Sequence, residues 1–598
     1  IGSKKQGDFP NKKSKLERPR KNTMVSTSLE PLELLQDELS YEEIPVRVNA
    51  INRLPTVCAA MGAEATKTHV LPYLDTLLDT EDDEIQYAIA VETNNLCAIV
   101  GSELLVMIEK LCAKEETIVR DQGVISCRTL MAMLTDEEVN NLLVPLALRL
   151  AQNQFFGGRV SACGMIPALY PRASKQREKL RHKFIELCNE DTPMVRRAGA
   201  ARLGEFAENI EKDFVISEVI PILKQLSNDE QDTIRKICMD VLIPIATLLN
   251  KEENQRHTLA LILIAGEDKS WRVRLQFARD FANLSDAFGK EITDMSLIQT
   301  FCLLLRDIET DVRVAATKSL GQCVHKVSLE KSQNMLLPIL QGLLSDSHPP
   351  VKANLCEIFC HMSGQFGKQL TTQKLLPSML ELARDASGDV KMATLKSFPT
   401  MIQTVGPDII NKQMIEVLHG MAKDTNWRMR CSLADFASYL VGCIGYDRFK
   451  AELQPLLFEL FSDHVSEVRS AAILNLGKIA HNFTYTWVMS DIIPFMETAM
   501  SDKNSYVHRV AMMKAVPKIC EVLGTDQMNE KIVPIVCLGL GDAVPNVRVC
   551  ALKAVVDLRK ASIDQKLYES KLKPRVVKLL EDPDRDVRYF AQVTMENQ

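Results

Sequence analysis

The sequence lacks the features by which a catalytic site or a membrane segment is usually recognised. None of its ten histidines is followed by glutamate, and no cysteines have the C-x-x-C spacing. Phosphate-cradling glycine loops and the H-E-x-x-H and G-x-S-x-G motifs are missing as well. No apolar run approaches the roughly 18 residues that a membrane span requires. We therefore expect no catalytic residues, no metal, no cofactor and no membrane insertion.

A strong net charge of either sign is also missing. The chain has 72 basic and 78 acidic residues, so its net charge is −6. Such a balance supplies no overall basic field for binding nucleic acid. The 16 cysteines lie mostly at apolar positions of predicted helices, which indicates reduced thiols. We expect a cytoplasmic protein that can also occur in the nucleus and that binds no nucleic acid.

Residues 1–28 contain almost nothing that could be buried. Eight lysines and arginines stand there against Asp8 and Glu17. This composition predicts a disordered basic tail. The tail could be a nuclear-import segment or could bind an acidic surface, and a plain extension ahead of Met24 is the alternative.

What the sequence does contain is a motif that returns at a fixed interval. An aspartate is followed six residues later by a basic residue, which Val, Ile or Met precedes, and the interval between motifs is 39 residues, or 40 at the end. The motif occurs as Asp229/Arg235, Asp268/Arg274, Asp307/Arg313, Asp346/Lys352, Asp385/Lys391, Asp424/Arg430, Asp463/Arg469, Asp502/His508, Asp542/Arg548 and Asp582/Arg588. Less regular equivalents are Arg47, Gln86, Arg120, Arg159 and Arg196. The period is typical of stacked helix pairs, and it predicts an all-α solenoid of about 15 repeats over residues 29–598.

One repeat, residues 452–482, illustrates the predicted helix pair. Leu456, Leu460 and Phe461 lie at helical spacing in a first helix, and Pro455 falls in its first turn, where a missing N–H costs nothing. Prolines recur at this point in other repeats, for example at Pro494. The second helix begins near Arg469. Neither helix can bury its apolar face alone, so each repeat must stack on its neighbours.

The recurring basic residue falls in the first turn of the second helix, where the helix dipole disfavours positive charge. Its offset aspartate suggests the compensation: the aspartate of one repeat pairs with the basic residue of the next, which forms a ladder that registers the repeats. The alternative is that each aspartate only caps its own loop. His508 replaces the basic residue once, with Arg509 beside it, and this rung is expected to be weaker.

Two loops carry a tryptophan followed by arginine at the same point of the repeat. Trp271-Arg272 and Trp427-Arg428 lie four 39-residue intervals apart. Exposed tryptophan and arginine are typical of interface anchors, although a tryptophan folded over its own repeat is the alternative. Because all such loops lie at one point of the repeat, they are predicted to line up as a ridge that holds large partners.

Several stretches together resemble one known family. Residues 115–121, 161–164, 189–198, 202–207, 267–274 and 586–592 are similar to the 65-kDa scaffold (A) subunit of protein phosphatase 2A, a HEAT-repeat family. The resemblance covers about residues 29–598 and implies a horseshoe-shaped HEAT solenoid. It implies a non-catalytic scaffold that tethers the phosphatase catalytic subunit to interchangeable regulatory B-type subunits.

The resemblance also implies which residues bind each partner. The catalytic subunit would bind within about residues 410–598, at Trp427, Arg428, His464, Val465, Asn504, Tyr506, Val544, Asn546 and Asp584. A regulatory subunit would bind within about residues 29–330, at Glu115, Glu116, Phe155, Pro193, Met194, Arg196, Arg197, Ser270, Trp271 and Arg272. The family usually has tryptophan where Phe155 stands and lysine where Asn426 stands, so a different choice of regulatory subunits is open.

Two other functions compete with this one. A nuclear transport receptor or another HEAT adaptor is the alternative, but such proteins tend to have acidic inner surfaces and more variable repeats. An iron-binding HEAT enzyme would need His-Glu pairs, which this chain lacks.

Overall fold

The computed structural model describes residues 30–561 and 563–596, and every regular element in these ranges is a helix. The chain divides into two compact units, and the boundary in the sequence lies between Leu248 and Leu249. The all-α prediction is therefore confirmed. The predicted basic tail, residues 1–28, lies outside the described residues.

The N-terminal unit contains sixteen α-helical segments. They are α1 (Glu30–Leu39), α2 (Ile44–Ile51), α3 (Leu54–Met61), α4 (Ala63–Ala65), α5 (Leu71–Thr80), α6 (Asp83–Val100), α7 (Leu105–Leu111), α8 (Thr117–Met133), α9 (Asp136–Glu138), α10 (Val144–Leu150), α11 (Phe156–Leu169), α12 (Arg177–Cys188), α13 (Pro193–Asn209), α14 (Lys212–Phe214), α15 (Ile220–Leu226) and α16 (Asp232–Leu248).

The C-terminal unit continues the same pattern. Its helices are α17 (Lys251–His257), α18 (Leu259–Gly266), α19 (Trp271–Ile292), α20 (Ile298–Leu304), α21 (Thr310–Cys323), α22 (Leu329–Lys331), α23 (Leu337–Gly342), α24 (Pro349–Leu370), α25 (Leu376–Leu382), α26 (Gly388–Val405), α27 (Lys412–Ala422), α28 (Trp427–Ile444), α29 (Tyr446–Glu452), α30 (Gln454–Phe461), α31 (Ser466–Trp487), α32 (Ile493–Ser501), α33 (Tyr506–Cys520), α34 (Thr525–Gln527), α35 (Val533–Leu540), α36 (Pro545–Lys560), α37 (Gln565–Leu567), α38 (Lys573–Leu579) and α39 (Arg585–Glu596).

The second helix of each repeat begins at the predicted motif. These second helices are α2, α6, α8, α11, α13 and α16 in the N-terminal unit, and α19, α21, α24, α26, α28, α31, α33, α36 and α39 in the C-terminal unit. Within each unit they pack on one another and on the first helix of their own repeat. The valine before the basic residue is fully buried in most repeats, as Val312 and Val468 show, whereas Val46 is 38% exposed. Each such valine contributes about 1.5–3 kcal/mol to the free energy of unfolding.

The recurrent proline lies in the first turn of an α-helical segment, as predicted, but in most repeats a π-helical turn runs directly into that segment, so the proline does not stand at the start of the helical stretch. A π-helical turn precedes it, and the proline follows the end of this turn by two residues. The turns are Thr66–Val70, Val139–Leu143, Val215–Val219, Ser332–Leu336, Thr371–Leu375, Val488–Ile492, Met528–Ile532 and Tyr568–Leu572. Proline has no N–H and crowds the carbonyl four residues back, and the wider turn accommodates both effects. At Pro455 the expectation holds, because α30 begins at Gln454.

One stretch, Asp83–Leu111, is long and apolar enough by composition to span a membrane, with a hydropathy of 1.3. This differs from the sequence-based expectation. The stretch is not one uninterrupted α-helix, because Gly101 takes a φ of 64° between α6 and α7. In the structure α6 packs on α8 and α2, and 44% of the apolar window is buried against the rest of the chain. Core helices of other proteins have the same length and composition.

Candidate protein-interaction surfaces

The predicted charge ladder is present, with the opposite direction of pairing. Arg196 Nε donates to Asp229 Oδ2 at 2.7 Å, so a basic residue pairs with the aspartate of the following repeat. Arg196 Nη1 also donates to the loop carbonyls of Glu190 and Asp191 at 2.9 and 2.8 Å. Asp229 Oδ1 accepts the backbone N–H of Gln231 at 2.9 Å. The aspartate therefore both caps its own loop and joins two repeats, so the two alternatives for its role hold together.

The same arrangement recurs along the C-terminal unit. Its pairs are Arg274–Asp307, Arg313–Asp346, Lys352–Asp385, Lys391–Asp424, Arg430–Asp463, Arg509–Asp542 and Arg548–Asp582. In the N-terminal unit two rungs use glutamate, Arg47–Glu81 and Arg159–Glu190. The carboxylate thus needs only to reach the guanidinium from the loop of the next repeat.

The surroundings of the aspartates keep them ionised. Burial alone would raise the pKa of Asp307, but the hydrogen bond from Arg274 and the backbone N–H of Glu309 outweigh it and lower that pKa. The same causes, burial opposed by a basic partner and a backbone N–H, lower the pKa of Asp463, whose partner is Arg430. The Arg430 and Asp463 side chains are only 4% and 7% exposed. These pairs are largely removed from water, so losing one partner leaves an uncompensated charge.

The weak rung expected at His508 is found one repeat earlier. Arg509 takes the ladder position, with Nε at 2.6 Å from Asp542 Oδ2 and Nη1 at 2.6 Å from the Asp502 carbonyl. Arg469 donates to the Asp463 carbonyl at 2.6 Å, but across residues 30–561 and 563–596 we find no ion pair between it and Asp502. The loop from Asp502 to α33 is one residue longer than the corresponding loops of the neighbouring repeats. The ladder position of this repeat is therefore moved from His508 to Arg509.

The proposed contact residues of the N-terminal unit lie where second helices begin. Glu116 and Phe155 immediately precede α8 and α11, and Pro193 is the first residue of α13. Glu115, Glu116, Pro193, Met194 and Arg197 are exposed, and Phe155 is half-buried against Phe156 with ring centroids 4.7 Å apart. Arg196 differs from them because the ladder engages its guanidinium, so it holds the loop in position.

The two Trp-Arg pairs have the same geometry and form the first residues of α19 and α28, which corrects the prediction that they lie in loops. The Arg272 guanidinium lies 5.0 Å from the Trp271 ring centroid, and that of Arg428 lies 4.6 Å from the Trp427 ring centroid. Both tryptophans are half-buried and both arginines are exposed. Each ring therefore rests partly on its own repeat and still offers a face to a partner. The third tryptophan, Trp487, is fully buried and serves the core.

The remaining C-terminal candidates also flank second helices. Val465 precedes α31, Val544 precedes α36, and Ser270 precedes α19, and all three are half-buried. His464, Asn504, Tyr506 and Asn546 are exposed. The half-buried Asp584 accepts backbone N–H groups of Asp586 and Val587, so its side chain caps α39.

Sequence reasoning missed a groove on the second helices of the N-terminal unit. Residues of α8, α11 and α13 line a cavity of about 820 Å³, among them Ile125, Val160 and Ala201. The available signal was the residue five positions after the ladder's basic residue or its equivalent, which is uncharged in these three repeats and in the two before them. As for metals, the described residues contain no group of three or more His, Cys, Asp and Glu side chains that could hold an ion.

Comparison with known proteins finds three relevant similarities in sequence. The chain is 34% identical to the beta isoform of the human 65-kDa regulatory A subunit of serine/threonine-protein phosphatase 2A over 376 residues, which is 61% of this chain and 62% of that protein. It is 36% identical to the regulatory A subunit of protein phosphatase PP2A from Schizosaccharomyces pombe over 44% of this chain and 46% of that protein. The match therefore spans less than two thirds of either relative. A family model described as "PIK3R4-like, middle domain" matches residues 444–595.

Solved structures resemble the chain in fold. A Kap95p structure with RanGDP superimposes with a TM-score of 0.53 at 12% identity, over 95% of this chain and 80% of that one. Kap121p bound to Nup53p gives a TM-score of 0.56 at 12% identity, over 95% of this chain and 64% of that one. At this identity the likeness shows a shared α-solenoid fold and nothing about partners.

Proposed function

We propose that this chain, which is related in sequence to the regulatory A subunits of protein phosphatase 2A, is a non-catalytic scaffold of such a phosphatase. Loops of the C-terminal unit within about residues 410–598 tether a catalytic subunit. Loops within about residues 29–330 bind a regulatory B-type subunit. The proposal places the complex in the cytoplasm and also in the nucleus, and it involves neither nucleic acid nor insertion into a membrane.

The observation that carries the proposal is the repeated Trp-Arg pair in a chain related to these subunits. Trp271 and Trp427 present the same stacked pair at the start of a second helix, each held by a ladder rung behind it, Arg274–Asp307 or Arg430–Asp463. Rigid aromatic and arginine anchors of this kind dominate the energetics of protein interfaces.

The mechanism needs no chemistry from the chain itself. Holding two subunits on one chain converts their encounter into an intramolecular event and raises their effective concentration to the millimolar range for short connections. The regulatory subunit then presents its substrate beside the catalytic subunit. This mechanism predicts that the scaffold stimulates dephosphorylation only when both surfaces are intact.

The two tryptophans provide matched variants that test the proposal. Trp427→Ala should weaken, about thirtyfold, the binding of a purified phosphatase 2A catalytic subunit, which corresponds to about 2 kcal/mol for an interface anchor. Trp271→Ala should leave that affinity unchanged and should weaken binding of a purified regulatory subunit. Biolayer interferometry measures both affinities, and circular dichroism checks that helicity is retained. Equal effects of the two variants on both partners would contradict the assigned division of surfaces, and no binding by the unchanged chain would contradict the proposal as a whole.

A further inference from the structure

The groove between α8 and α13 is here called the second-helix groove, and of the contact residues proposed above only Met194 and Arg197 line it. It extends along α8 from Thr117 to Arg128. At 1.5 Å per helical residue this corresponds to roughly 16 Å, enough for about five residues of an extended chain. Its floor is α11 and its volume is about 820 Å³. The groove is therefore large enough for a short peptide segment with several side chains.

The three repeats that form the groove belong to five successive repeats that lack a charged side chain at one position, five residues after the ladder's basic residue or its equivalent. At this position an exposed charge is present in eight other repeats, as Asp240, Arg279, Lys318, Glu357, Lys396, Asp435, Lys514 and Lys553, whereas the repeat of α31 has an exposed leucine, Leu474. In the repeats of α8, α11 and α13 the same position holds Ile125, Gly164 and Ala201. Ile125 is 44% exposed, although an isoleucine normally belongs in a core. This face therefore exposes apolar surface where eight other repeats are charged.

Arg128 closes one end of the groove. Its Nη2 donates to the Gly164 carbonyl at 2.6 Å, and its Nη1 lies 2.8 Å from Glu205 Oε1. Glu205 Oε2 also accepts a hydrogen bond from Arg202 at 3.2 Å. The guanidinium thus bridges α8 and α13 across α11, and it keeps the two walls at a fixed separation. The opposite end of the groove opens at the loop edge beside Met194, which is 53% exposed.

The polar lining of the groove is mainly basic, and one cation is not engaged. Arg120 is occupied by the carbonyls of Lys114 and Glu115, and Arg128 and Arg202 are occupied by Glu205. Arg197 is exposed, and no hydrogen bond or ion pair of its side chain is found among the residues that the structure describes. Asp121 is the one acidic side chain in the lining. A carboxylate can form two parallel hydrogen bonds with such an unpaired guanidinium.

We propose that the second-helix groove binds a short segment of the regulatory subunit, which places an apolar side chain over Ile125 and Ala201 and a carboxylate against Arg197. The identity of the partner rests on the proposed function, whereas the chemistry of the segment follows from the groove itself. The groove is continuous with the loop surface at Met194, so one partner can occupy both. A loop of the regulatory subunit that contacts the surface at Met194 would thereby also contact the second helices along the groove.

Substitutions that give the groove the charges of other repeats test this proposal. Ala201→Arg introduces the arginine that α19 has at the same repeat position, Arg279. Because Ala201 is exposed, the larger side chain should not prevent folding. We expect at least tenfold weaker binding of a purified regulatory subunit by biolayer interferometry. Lys318→Ala, at the same repeat position in α21, is the matched control and should change the affinity less than twofold. Binding of the catalytic subunit should be unchanged in both variants.

The charge of the segment is tested separately with Arg197→Glu. This variant should weaken regulatory-subunit binding, and the difference from the unchanged chain should shrink at high salt because the pair is partly exposed. Stronger binding by Arg197→Glu would overturn the carboxylate assignment. Unaltered affinity of Ala201→Arg, with normal binding by the unchanged chain, would overturn the groove proposal alone. No binding of a regulatory subunit by the unchanged chain would overturn the proposed function and this inference with it.

Discussion

Two neighbouring rungs of the C-terminal unit have nearly the same sequence and different structures. Arg430 donates from Nε and Nη2 to Asp463 at 2.5 and 2.9 Å, and both side chains are almost fully buried. One repeat later Arg469 keeps its bond to a loop carbonyl, but we find no ion pair to Asp502 in the described part of the chain. The loop between Asp502 and α33 is also one residue longer than the loop between Asp463 and α31. The motif therefore supplies the partners, and the geometry around them decides whether they meet.

Among the C-terminal rungs named above, the boundary between the repeats of α31 and α33 is the one at which no ion pair joins the two repeats. The stability of a repeat protein is the sum of the stability of each repeat and of its interfaces with the neighbouring repeats. A missing rung therefore weakens one interface only. Local opening, not global unfolding, is the quantity that reports such a difference. Hydrogen exchange of the adjoining helices is therefore the measurement that distinguishes one rung from another.

The largest effect is expected from removing the arginine of the intact rung. Arg430→Met leaves the Asp463 carboxylate buried without its cation, and the free energy of local opening of α28 and α31 should fall by about 3–5 kcal/mol. Arg469→Met is the matched variant at the incomplete rung, and it should cost about 1 kcal/mol because only a hydrogen bond to a carbonyl is lost. Hydrogen exchange measured by mass spectrometry compares the two. Equal losses would show that the Arg430–Asp463 pair contributes nothing specific.

The next effect depends on pH. The pKa of Asp463 lies below its ordinary value of 3.8, so the stability from its charge is present above pH 3.8 and is lost as the pH falls through the folded-state pKa. Asp463→Asn should therefore be less stable than the unchanged chain at pH 7 by about 1.5–3 kcal/mol, the range for a hydrogen bond to a charged group. The difference should narrow as the pH falls below 3.8. A difference that stays constant between pH 7 and pH 3 would show that the charge is not responsible.

A smaller effect is expected where lysine replaces arginine in the ladder. Lys352 Nζ makes a single contact to Asp385 Oδ2 at 2.5 Å, whereas Arg313 donates to Asp346 twice and also to two loop carbonyls. Lys352→Arg should therefore stabilise α24 and α26 by about 0.5–1 kcal/mol through the additional hydrogen bonds. Hydrogen exchange of these two helices measures the gain. A loss of protection would mean that the larger guanidinium does not fit this loop.

The smallest effect is expected at His508. Its ring nitrogen lies 3.3 Å from the Ser462 carbonyl, while Arg509 performs the ladder contacts. His508→Ala should change the local stability of α33 by less than about 0.5 kcal/mol, as for other surface positions. Arg509→Ala is the companion variant and should cost several times more. The reverse order would assign His508 to the ladder in place of Arg509.

Much of the fold follows from local pattern. The 39-residue period, the buried valine before most of the basic residues and the shared repeat position of Trp271 and Trp427 are visible in the sequence, and each was predictable. Proline placement was only partly predictable, because whether a helix ends at proline or runs through it with a π-helical turn depends on the packing of the flanking residues. Some candidate contact residues lie in the predicted loops and others, such as Trp271 and Trp427, lie in the first turn of the helix that follows, and their partners stay a prediction.

By itself the sequence determined the repeat, the helix pairs and most of the charged residues that form the ladder, because periodicity and the pattern of buried positions are present in each repeat. Only the tertiary structure decided the direction of the ladder, since Arg196 could pair with an aspartate before or after it, and stacking selects the latter. It also decided that Arg509 replaces His508 and that Arg128 reaches Glu205 across an intervening helix. Such contacts depend on how neighbouring repeats pack, which no single repeat encodes.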